Sequence, residues 1–276
     1  MTEKNDNHSL VSPFILIKGA GEMASAIAWR LYQANMRHIC MLDLENALAV
    51  RRQVSFCTVF EDTETSVEGV PAISVKDGDG IDAAWNKSKI AVTLTTDWDL
   101  IEDHRPDVVI DAILAKRNTG TALADAPLVI ALGPGFEAGA DCHLLIETNR
   151  GHNLGRIIEN GAATADTGIP GAISGHTAQR VLRAPAAGTF KTDRVIGDLV
   201  KAGDVVGQVE GNPLVAEIDG ILRGLIKPGT VIPRGLKIGD IDPRGDAQYC
   251  DTISDKARAI GGSVLEAIMR QYNKAA

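Results

Sequence analysis

The sequence predicts an α/β protein with a parallel sheet domain at residues 13–160, a small all-β domain at 178–248 and a C-terminal helix at 251–272. Three observations support this prediction. Apolar runs of strand length alternate with helical or polar segments in the first part, and short glycine-punctuated segments dominate the second. Near the end of the chain apolar residues recur at helical spacing, and we expect that helix to pack back on the first domain.

The composition is that of an ordinary two-domain protein. Of the 276 residues 45% are hydrophobic but only 4% are aromatic, so the cores must consist mainly of Ala, Val, Ile and Leu. The formal charge of −8 argues against nucleic acid and against an anionic membrane as the main partner. No apolar run approaches the ~18 residues of a membrane span, and we expect a cytoplasmic protein.

The four cysteines, Cys40, Cys57, Cys142 and Cys250, lie far apart and form no C-x-x-C pair. Neither a bound metal nor a disulfide framework is therefore expected. A part for the first three in sulfur or selenium chemistry is left open, and so is the formation of a homo-oligomer.

The first strand and helix are predicted around a glycine turn. An apolar run leads directly into Gly19-Ala-Gly-Glu-Met-Ala24, which has the spacing G-x-G-x-x-A. Gly19 would let the backbone leave the strand sharply, Gly21 would admit a pyrophosphate, and Ala24 would allow close helix packing. Phosphate oxygens would then meet the free N–H groups of the helix that starts near Glu22. The pattern is typical of a Rossmann-like nucleotide-binding domain.

A second strand, residues 38–42, ends at Asp43, nineteen positions beyond Ala24. In dinucleotide sites a carboxylate at this place accepts hydrogen bonds from the ribose. Arg51 and Arg52 follow closely. They can meet an anionic ligand or stand on a solvated helix face, and the pattern does not choose between these readings.

Polar and glycine-rich loops follow the later strands. Lys116, Arg117 and Asn118 come just past one predicted strand, and a second glycine loop follows the next. Because the carboxyl ends of parallel strands form the ligand crevice, we expect these loops to bind an anion. The later strands are predicted at 69–75, 89–94, 107–113, 128–132 and 142–146, with an irregular acidic stretch at 61–68 and a turn at 77–80. The predicted ligand-binding residues are Gly19, Gly21, Glu22, Met23, Ala24, Asp43, Lys116, Arg117, Asn118, Gly133, Gly135 and Arg150.

The second part of the chain contains an internal repeat. Four glycines and five apolar positions recur with a shift of 32 residues, which predicts two similar units of short strands and tight turns. The segments Ala184-Pro-Ala-Ala-Gly188 and Val200-Lys-Ala-Gly-Asp-Val-Val206 resemble the barrel-sandwich hybrid of biotinyl and lipoyl carrier domains. The hairpin at 209–215 has no lysine, so a swinging-arm role is not expected. The glycine pairs are Gly188 and Gly220, Gly197 and Gly229, Gly203 and Gly235, and Gly207 and Gly239.

Longer motifs resemble the YqeB-like accessory proteins of the selenium-dependent molybdenum hydroxylase system. They are Ile17-Lys-Gly-Ala-Gly-Glu-Met-Ala-Ser-Ala-Ile-Ala28, Asp111-Ala-Ile-Leu-Ala-Lys-Arg-Asn-Thr-Gly-Thr121, Leu132-Gly-Pro-Gly-Phe136 and Ile146-Glu-Thr-Asn-Arg-Gly-His152. The resemblance covers nearly the whole chain. It implies a cytoplasmic Rossmann-like protein, distantly similar to XdhC, which assists xanthine dehydrogenase-type enzymes by handling molybdenum cofactor.

The leading expectation is an accessory or maturation factor for a molybdenum hydroxylase. It would bind a phosphate-bearing small molecule, of nucleotide (NAD(P)) or molybdopterin type, in the crevice. Two alternatives stay open. One is an NAD(P)-dependent oxidoreductase, with His143, His152 or Lys116 as the acid–base group, and the other is a structural adaptor whose β domain docks a hydroxylase. Whether the chain catalyses a reaction is not decided.

Overall fold

The structure, a computed structural model, describes residues 12–97, 104–168 and 170–273. Its largest element is a nine-stranded sheet in the order β10-β9-β7-β6-β1-β2-β5-β4-β3. Its strands are β1 (Ile15–Lys18), β2 (Ile39–Asp43), β3 (Glu64–Val67), β4 (Val70–Ser74), β5 (Ile90–Leu94), β6 (Val108–Asp111), β7 (Leu128–Leu132), β9 (Leu144–Ile146) and β10 (Ile157–Ile158). A separate ladder joins β8 (Glu137–Ala138) to β11 (Gly161–Ala162).

The sheet is parallel in its middle and antiparallel at both edges. Strand β1 pairs in parallel with β2 and β6, and parallel pairing continues to β4 on one side and to β9 on the other. The edge strands β3 and β10 then close the sheet as antiparallel hairpin partners of β4 and β9. The sheet that was predicted to be parallel is therefore a mixed sheet.

Both faces of the sheet are covered, which explains the continuous apolar runs of its strands. Ile15 and Ile17 of β1 enter one core and Leu16 enters the other. The first core contains α1 (Glu22–Gln33), and the second contains residues of α3 (Gly78–Asn86). The single-turn helix α2 (Val59–Asp62) leads into β3.

Two acidic or glycine-rich segments were predicted wrongly. The stretch at 61–68 is not irregular, since it contains the end of α2 and all of β3. The turn predicted at 77–80 is the start of α3. There the Asp77 carboxylate accepts a hydrogen bond from the Gly80 N–H at 2.7 Å, so the aspartate caps a helix.

The C-terminal region forms α4 (Gln248–Asp251) and α5 (Asp255–Tyr272). Ile260, Val264 and Ile268 of α5 are buried in the same core as α1. The two helices approach closely where α5 has Gly261, because a Cβ there would lie 3.2 Å from the Ala26 carbonyl oxygen. The last helix thus covers the sheet next to the first one.

The β domain is a pair of four-stranded antiparallel sheets with the orders β12-β19-β17-β14 and β16-β15-β13-β18. Each sheet takes two strands from each repeat unit, and β13, β14 and β15 begin 32 residues before β17, β18 and β19. Phe190 and its repeat partner Leu222 are buried between the sheets. The strands are β12 (Val181–Arg183), β13 (Gly188–Lys191), β14 (Leu199–Val200), β15 (Val205–Val209), β16 (Asn212–Val215), β17 (Gly220–Leu225), β18 (Val231–Ile232) and β19 (Lys237–Asp242).

Arg51 connects the β domain to the first sheet. Its neighbour Val50 accepts a backbone hydrogen bond from Leu225 at 2.8 Å, and a Cβ on Gly224 would lie 2.8 Å from the same Val50 oxygen. Arg51 is only 4% exposed and donates to the Thr252 carbonyl at 2.9 Å. Arg51 is therefore a buried cation between structural elements, and the reading as a residue of a solvated helix face is wrong.

Within the described residues, no helix combines the length and the apolar character that a membrane crossing requires.

Candidate functional site

The glycine turn after β1 is held by Asp43 at the end of β2. Gly19 has a φ of 100°, which favours glycine, and its N–H donates to the Leu42 carbonyl at 2.6 Å. The Asp43 carboxylate accepts from the N–H groups of Ala20 at 2.7 Å and Leu44 at 2.8 Å. Burial raises the pKa of Asp43 against the effect of these bonds. Both its oxygens bind backbone, so its visible role is to fix the turn.

The N-terminus of α1 is open in front of this turn. Gly21 is the N-cap residue and supplies no capping side chain, and a Cβ built on it would meet no atom of the described residues within 4 Å. Among the described residues, the N–H groups of Gly21, Glu22 and Met23 donate to no partner. Ala24 is buried in the core below. The end of α1 is therefore a half-buried set of free donors.

The side chain of Glu22 brings the N-termini of α1 and α5 together. Its Oε1 accepts from the Ser254 hydroxyl at 2.8 Å and from the Arg51 guanidinium at 3.3 Å. Ser254 is the N-cap of α5, where its hydroxyl oxygen also accepts from the Ala257 N–H at 3.3 Å. Two positive helix ends thus meet one carboxylate.

Charged side chains from the β domain face these two helix ends. We call the whole group the cationic interface. Strand β19 contributes Lys237 and two buried aspartates to the cationic interface, and α5 contributes Lys256. Its members are the cations Arg51, Arg150, Arg180, Arg223, Lys237, Arg244 and Lys256 and the anions Glu22, Glu147, Asp240, Asp242 and Asp255.

Asp240 is the buried anchor of the cationic interface. It is 1% exposed and forms ion pairs with Arg180, Arg223 and Lys237, the last at 3.6 Å. The adjacent Asp242 is fully buried and lies 3.2 Å from Arg223. Both carboxylates stand on β19, where alternate residues point to the same face of the strand. Breaking such a buried pair leaves an uncompensated charge, which is strongly destabilising.

Burial disfavours the charged forms of the two lysines of the cationic interface. Burial lowers the pKa of Lys237, and Arg180 lowers it further although Asp240 acts in the opposite direction. The Lys237 side chain is 42% exposed, so solvent screens part of this effect. Burial also lowers the pKa of Lys256, and Arg150 adds to the decrease. The position of both lysines thus penalises their charged forms.

Arg150 lies at the edge of the cationic interface. Its guanidinium donates to both carboxylate oxygens of Asp255, at 2.9 and 3.0 Å. These bonds are the main reason why the pKa of Asp255 falls to about 2. The chain at Gly171 passes directly over Arg150, because a Cβ there would lie 2.4 Å from its Cδ.

Glu147, a member of the cationic interface, also lines a polar cavity of about 500 Å³ beside β10. It is buried and accepts from the N–H groups of Asn149 at 2.7 Å and Thr164 at 2.8 Å. Burial acts to raise the pKa of Glu147, but these donors lower it overall. The cavity is lined by Glu147, Asn153, Arg156, Ile157, Ile158, Glu159, Asn160, Ala162 and Thr164.

In the predicted Lys-Arg-Asn loop, the side chains of Lys116 and Asn118 already bind protein groups. Lys116 forms an exposed ion pair with Asp166 at 2.6 Å. Asn118 accepts from the Thr121 N–H at 2.8 Å and donates to the Thr121 carbonyl at the same distance, which defines a turn. Arg117 is exposed. Of the basic side chains predicted to line one crevice, Arg150 belongs to the cationic interface, while Lys116 is paired elsewhere.

The second glycine loop is packed against protein. A Cβ on Gly133 would lie 2.5 Å from the Thr148 hydroxyl, and one on Gly135 would lie 2.4 Å from the Arg117 backbone nitrogen. Both glycines have a positive φ, of 70° and 105°. Their small size is therefore used for contact between chain segments.

The buried thiols are not activated. Burial raises the pKa of Cys40 and Cys57 to about 12 and that of Cys142 to about 11, so these thiols stay protonated at neutral pH. In the described part of the chain, no three His, Cys, Asp or Glu residues are placed to hold a metal ion.

Sequence reasoning missed the lysines of the cationic interface. Lys237 and Lys256 follow the glycine turn by more than 200 positions, and no motif connects them to it. Lys256 carried one local signal, because a cation in the first turn of a helix opposes the helix dipole.

The chain has a curated relative of substantial identity, although no family model matches it. It is 45% identical over 263 residues, 95% of its length, to the Escherichia coli K12 protein described as "Uncharacterized protein YqeB". The chain is YqeB-like. The YqeB-like chain spans about half, 48%, of that relative. The predicted YqeB resemblance is thus confirmed, whereas the hydroxylase role and the link to XdhC do not follow from it.

Three solved structures show a weak likeness. A succinylglutamate desuccinylase/aspartoacylase from Rhodobacter sphaeroides is 16% identical with a TM-score of 0.26, covering 83% of the YqeB-like chain and 85% of its own. An aspartoacylase family protein from Mesorhizobium loti is 14% identical with a TM-score of 0.27, covering 84% of the YqeB-like chain and 85% of its own. The ectoine utilization protein EutE (DoeB) from Ruegeria pomeroyi is 12% identical with a TM-score of 0.25, covering 84% of the YqeB-like chain and 85% of its own. Such values do not transfer an activity to the YqeB-like chain.

Two predictions are corrected here. The fold class, a Rossmann-like domain plus a barrel-sandwich hybrid, is wrong, because the chain has a large mixed sheet together with two four-stranded antiparallel sheets. The accessory role in a selenium-dependent molybdenum hydroxylase system is also wrong, and with it the molybdenum cofactor. None of the four proteins named above is described as such a factor, as an oxidoreductase or as an adaptor.

Proposed function

We propose that the chain binds a small molecule carrying phosphate or carboxylate groups at the cationic interface, in front of α1. One observation carries this proposal. The cationic interface contains seven cations and five anions, and burial lowers the pKa of both of its lysines. An excess of positive charge in a partly buried place is unfavourable, and a bound anion offsets part of that cost.

The open end of α1 supplies the neutral part of the site. The N–H groups of Gly21, Glu22 and Met23 are free among the described residues, and backbone donors at a helix N-terminus bind anions. Gly21 leaves open space where a side chain would otherwise stand. A ligand anion could then contact the helix end while the lysines neutralise its charge.

Gly21→Ala is the sharpest test of this site. The backbone at Gly21 has a φ of −75°, which alanine adopts freely, and the new Cβ enters empty space. We expect stability to change by no more than about 0.5 kcal/mol. Binding of pyrophosphate or succinate, measured by titration calorimetry, should weaken by at least about tenfold, since one lost charge-assisted hydrogen bond has that value.

Gly262→Ala is the matched control. This glycine lies in α5 and has no positive φ, and no atom of the described part of the chain lies within 4 Å of an added Cβ. It should leave anion binding unchanged. Equal binding by both variants, or no binding of any of the anions by the wild-type protein at low salt, would refute the proposed site.

Proton uptake gives a second readout of the same proposal. A bound anion favours the charged form of Lys237 and Lys256, so it raises pKa values that burial has lowered. Binding should therefore take up protons, increasingly so as the pH rises towards the lysine pKa values. Calorimetry in buffers of different ionisation enthalpy measures this uptake, and an anion bound away from the lysines would show none.

A further inference from the structure

The two repeat units of the β domain match strand by strand. The first unit is β12 to β15 and the second is β16 to β19, and the ends of β12 and β16 are again 32 residues apart. Leu182 of β12 lies opposite Gly239 of β19. Their equivalents in the other unit, Leu214 and Gly207, also lie opposite each other. The β domain therefore presents an equivalent surface twice, once on each unit.

The first domain covers one of these two surfaces. On the second unit the Leu225 N–H donates to the Val50 carbonyl at 2.8 Å. A Cβ on Gly224 would lie 2.8 Å from both the Cγ1 and the oxygen of Val50. The Val50 side chain also packs against the core of the β domain. A short loop segment thus occupies the surface of the second unit.

The equivalent surface of the first unit is open. It forms a cavity of about 580 Å³ lined by residues 191–194, 205–208, 211 and 213, which we call the first-unit groove. Asp193 is the residue equivalent to Leu225. Among the described residues, the backbone N–H of Asp193 donates to no partner. The backbone donor that holds the loop on the second unit is therefore free on the first.

One cation of the first-unit groove lacks the carboxylate that its counterpart has. On the second unit Arg223 pairs with the buried Asp240. On the first unit Lys191 takes the place of the arginine, and Gln208 takes the place of the aspartate opposite it. In the part of the chain that the structure describes, Lys191 forms no ion pair, and neither does the nearby Asp193. A carboxylate from outside the groove would complete the pair.

An exposed apolar pair borders the first-unit groove. Val205 and Val215 lie opposite each other on β15 and β16, and they are 55% and 41% exposed. Their counterparts on the second unit are the charged residues Lys237 and Arg183. Exposed apolar side chains at the edge of a groove favour a partner that brings aliphatic side chains.

We propose that the first-unit groove binds a short peptide segment of a partner protein, in which an acidic residue stands beside an aliphatic one. The segment takes the place that the loop at Val50 takes on the second unit. One of its carbonyl groups accepts from the Asp193 N–H, its carboxylate pairs with Lys191, and its aliphatic side chain contacts Val205. This inference does not rest on the anion site, because the groove shares no residue with the cationic interface.

The two surfaces differ in how closely a segment can approach. Thr192 stands on the first unit where the second has Gly224, and a Cβ at Gly224 would be too close to Val50. A peptide in the first-unit groove therefore lies a few tenths of an ångström further from the strand than Val50 does.

Peptide selection on the whole protein tests the first-unit groove. Phage that display random octapeptides are depleted on the bare support and then selected on the wild-type protein. We expect the enriched peptides to combine aspartate or glutamate with a neighbouring valine, isoleucine or leucine. Enrichment of basic peptides, or of no peptide above the support, would overturn the inference.

Two matched pairs of exposed substitutions then locate the enriched peptide by fluorescence anisotropy. Lys191→Glu should weaken binding about tenfold because an attraction becomes a repulsion, whereas Lys201→Glu, on the turn before β15, should leave it unchanged. Val205→Asp should weaken binding by a similar factor. Val231→Asp should not, although Val231 on β18 is 75% exposed. Equal affinity of Lys191→Glu and the wild-type protein would refute the groove.

Charge reversal and competition complete the test. Replacing the acidic residue of the peptide by lysine should restore its binding to Lys191→Glu to within about threefold of the original pair. Excess succinate should leave the peptide bound, and displacement would place the peptide at the anion site instead. A wild-type dimer that Val205→Asp dissociates, measured by sedimentation, would assign the groove to a second copy of the chain and overturn the inference.

Discussion

The two glycine loops of the first domain share a sequence pattern and differ in what faces them. Within the described residues, Gly21 at the N-terminus of α1 has empty space beyond its Cα and free backbone donors beside it. Gly133 and Gly135 instead face Thr148 and the backbone of Arg117 within 2.5 Å of an added Cβ. A glycine that admits a ligand and one that admits another chain segment look alike in sequence. The volume in front of the missing Cβ distinguishes them.

The largest effect should come from the closed loop, through Gly135→Ala. An added Cβ would lie 2.4 Å from a backbone nitrogen, and the φ of 105° strains any L-residue. We expect a loss of about 3–5 kcal/mol in the free energy of unfolding, measured by urea denaturation. A loss below about 1 kcal/mol would show that this loop is as open as the end of α1.

Gly133→Ala should cost less, about 2–3 kcal/mol, because its obstacle is the side chain of Thr148. A double-mutant cycle with Thr148→Ala separates the two causes. The overlap disappears with the hydroxyl, so the two substitutions should show a favourable coupling of about 1 kcal/mol, while the strain of the positive φ remains. Additive effects would mean that Thr148 is not the obstacle.

Beside the open end of α1, substituting Asp43 should cost less free energy of unfolding than substituting either glycine of the closed loop. Asp43→Ala removes the acceptors of the Ala20 and Leu44 N–H groups and should cost about 1–2 kcal/mol. Asp43→Asn keeps one acceptor and removes a carboxylate whose pKa burial has raised, so it should cost less. Thermal unfolding at pH 7 compares the two variants, and an equal loss would contradict this account.

The smallest effect on stability concerns Asp255, at the rim of the open side. Its carboxyl should titrate with a pKa of about 2, below its ordinary 3.8, in a ¹³C NMR pH series. Because the folded-state pKa is lowered, the stabilisation by Arg150 is present above pH 3.8 and is lost as the pH falls towards 2. Arg150→Gln should return the pKa towards 3.8. The exposed pair makes the change in unfolding free energy small.

Local periodicity sufficed for the middle of the sheet. The predictions of β1, α1 and β2 are confirmed, because buried strands and an amphipathic helix leave direct patterns in the sequence. Helix α3 was missed because Asp77 and two glycines read as a turn, although the aspartate is a helix cap. Edge strand β3 was missed because its exposed residues lack an apolar pattern.

Only part of the candidate site could be predicted from the sequence. Gly21 and Glu22 stand in a recognisable motif, but the lysines opposite them come from β19 and α5. Their proximity depends on Arg51, a buried cation that joins three distant segments and follows no motif. The role of Asp43 in fixing the turn also depends on the direction of two backbone N–H groups. The spacing of residues in the sequence does not reveal that direction.

The exchange of strands between the two repeat units of the β domain has a consequence for its autonomy. Each four-stranded sheet is built half from one unit and half from the other, with the same order of equivalent strands. One unit alone would therefore leave both sheets open at unpaired strands. The β domain has the construction of a two-fold symmetric homodimer whose subunits have been fused into a single polypeptide. Two separate copies of one unit contain every strand needed to rebuild it.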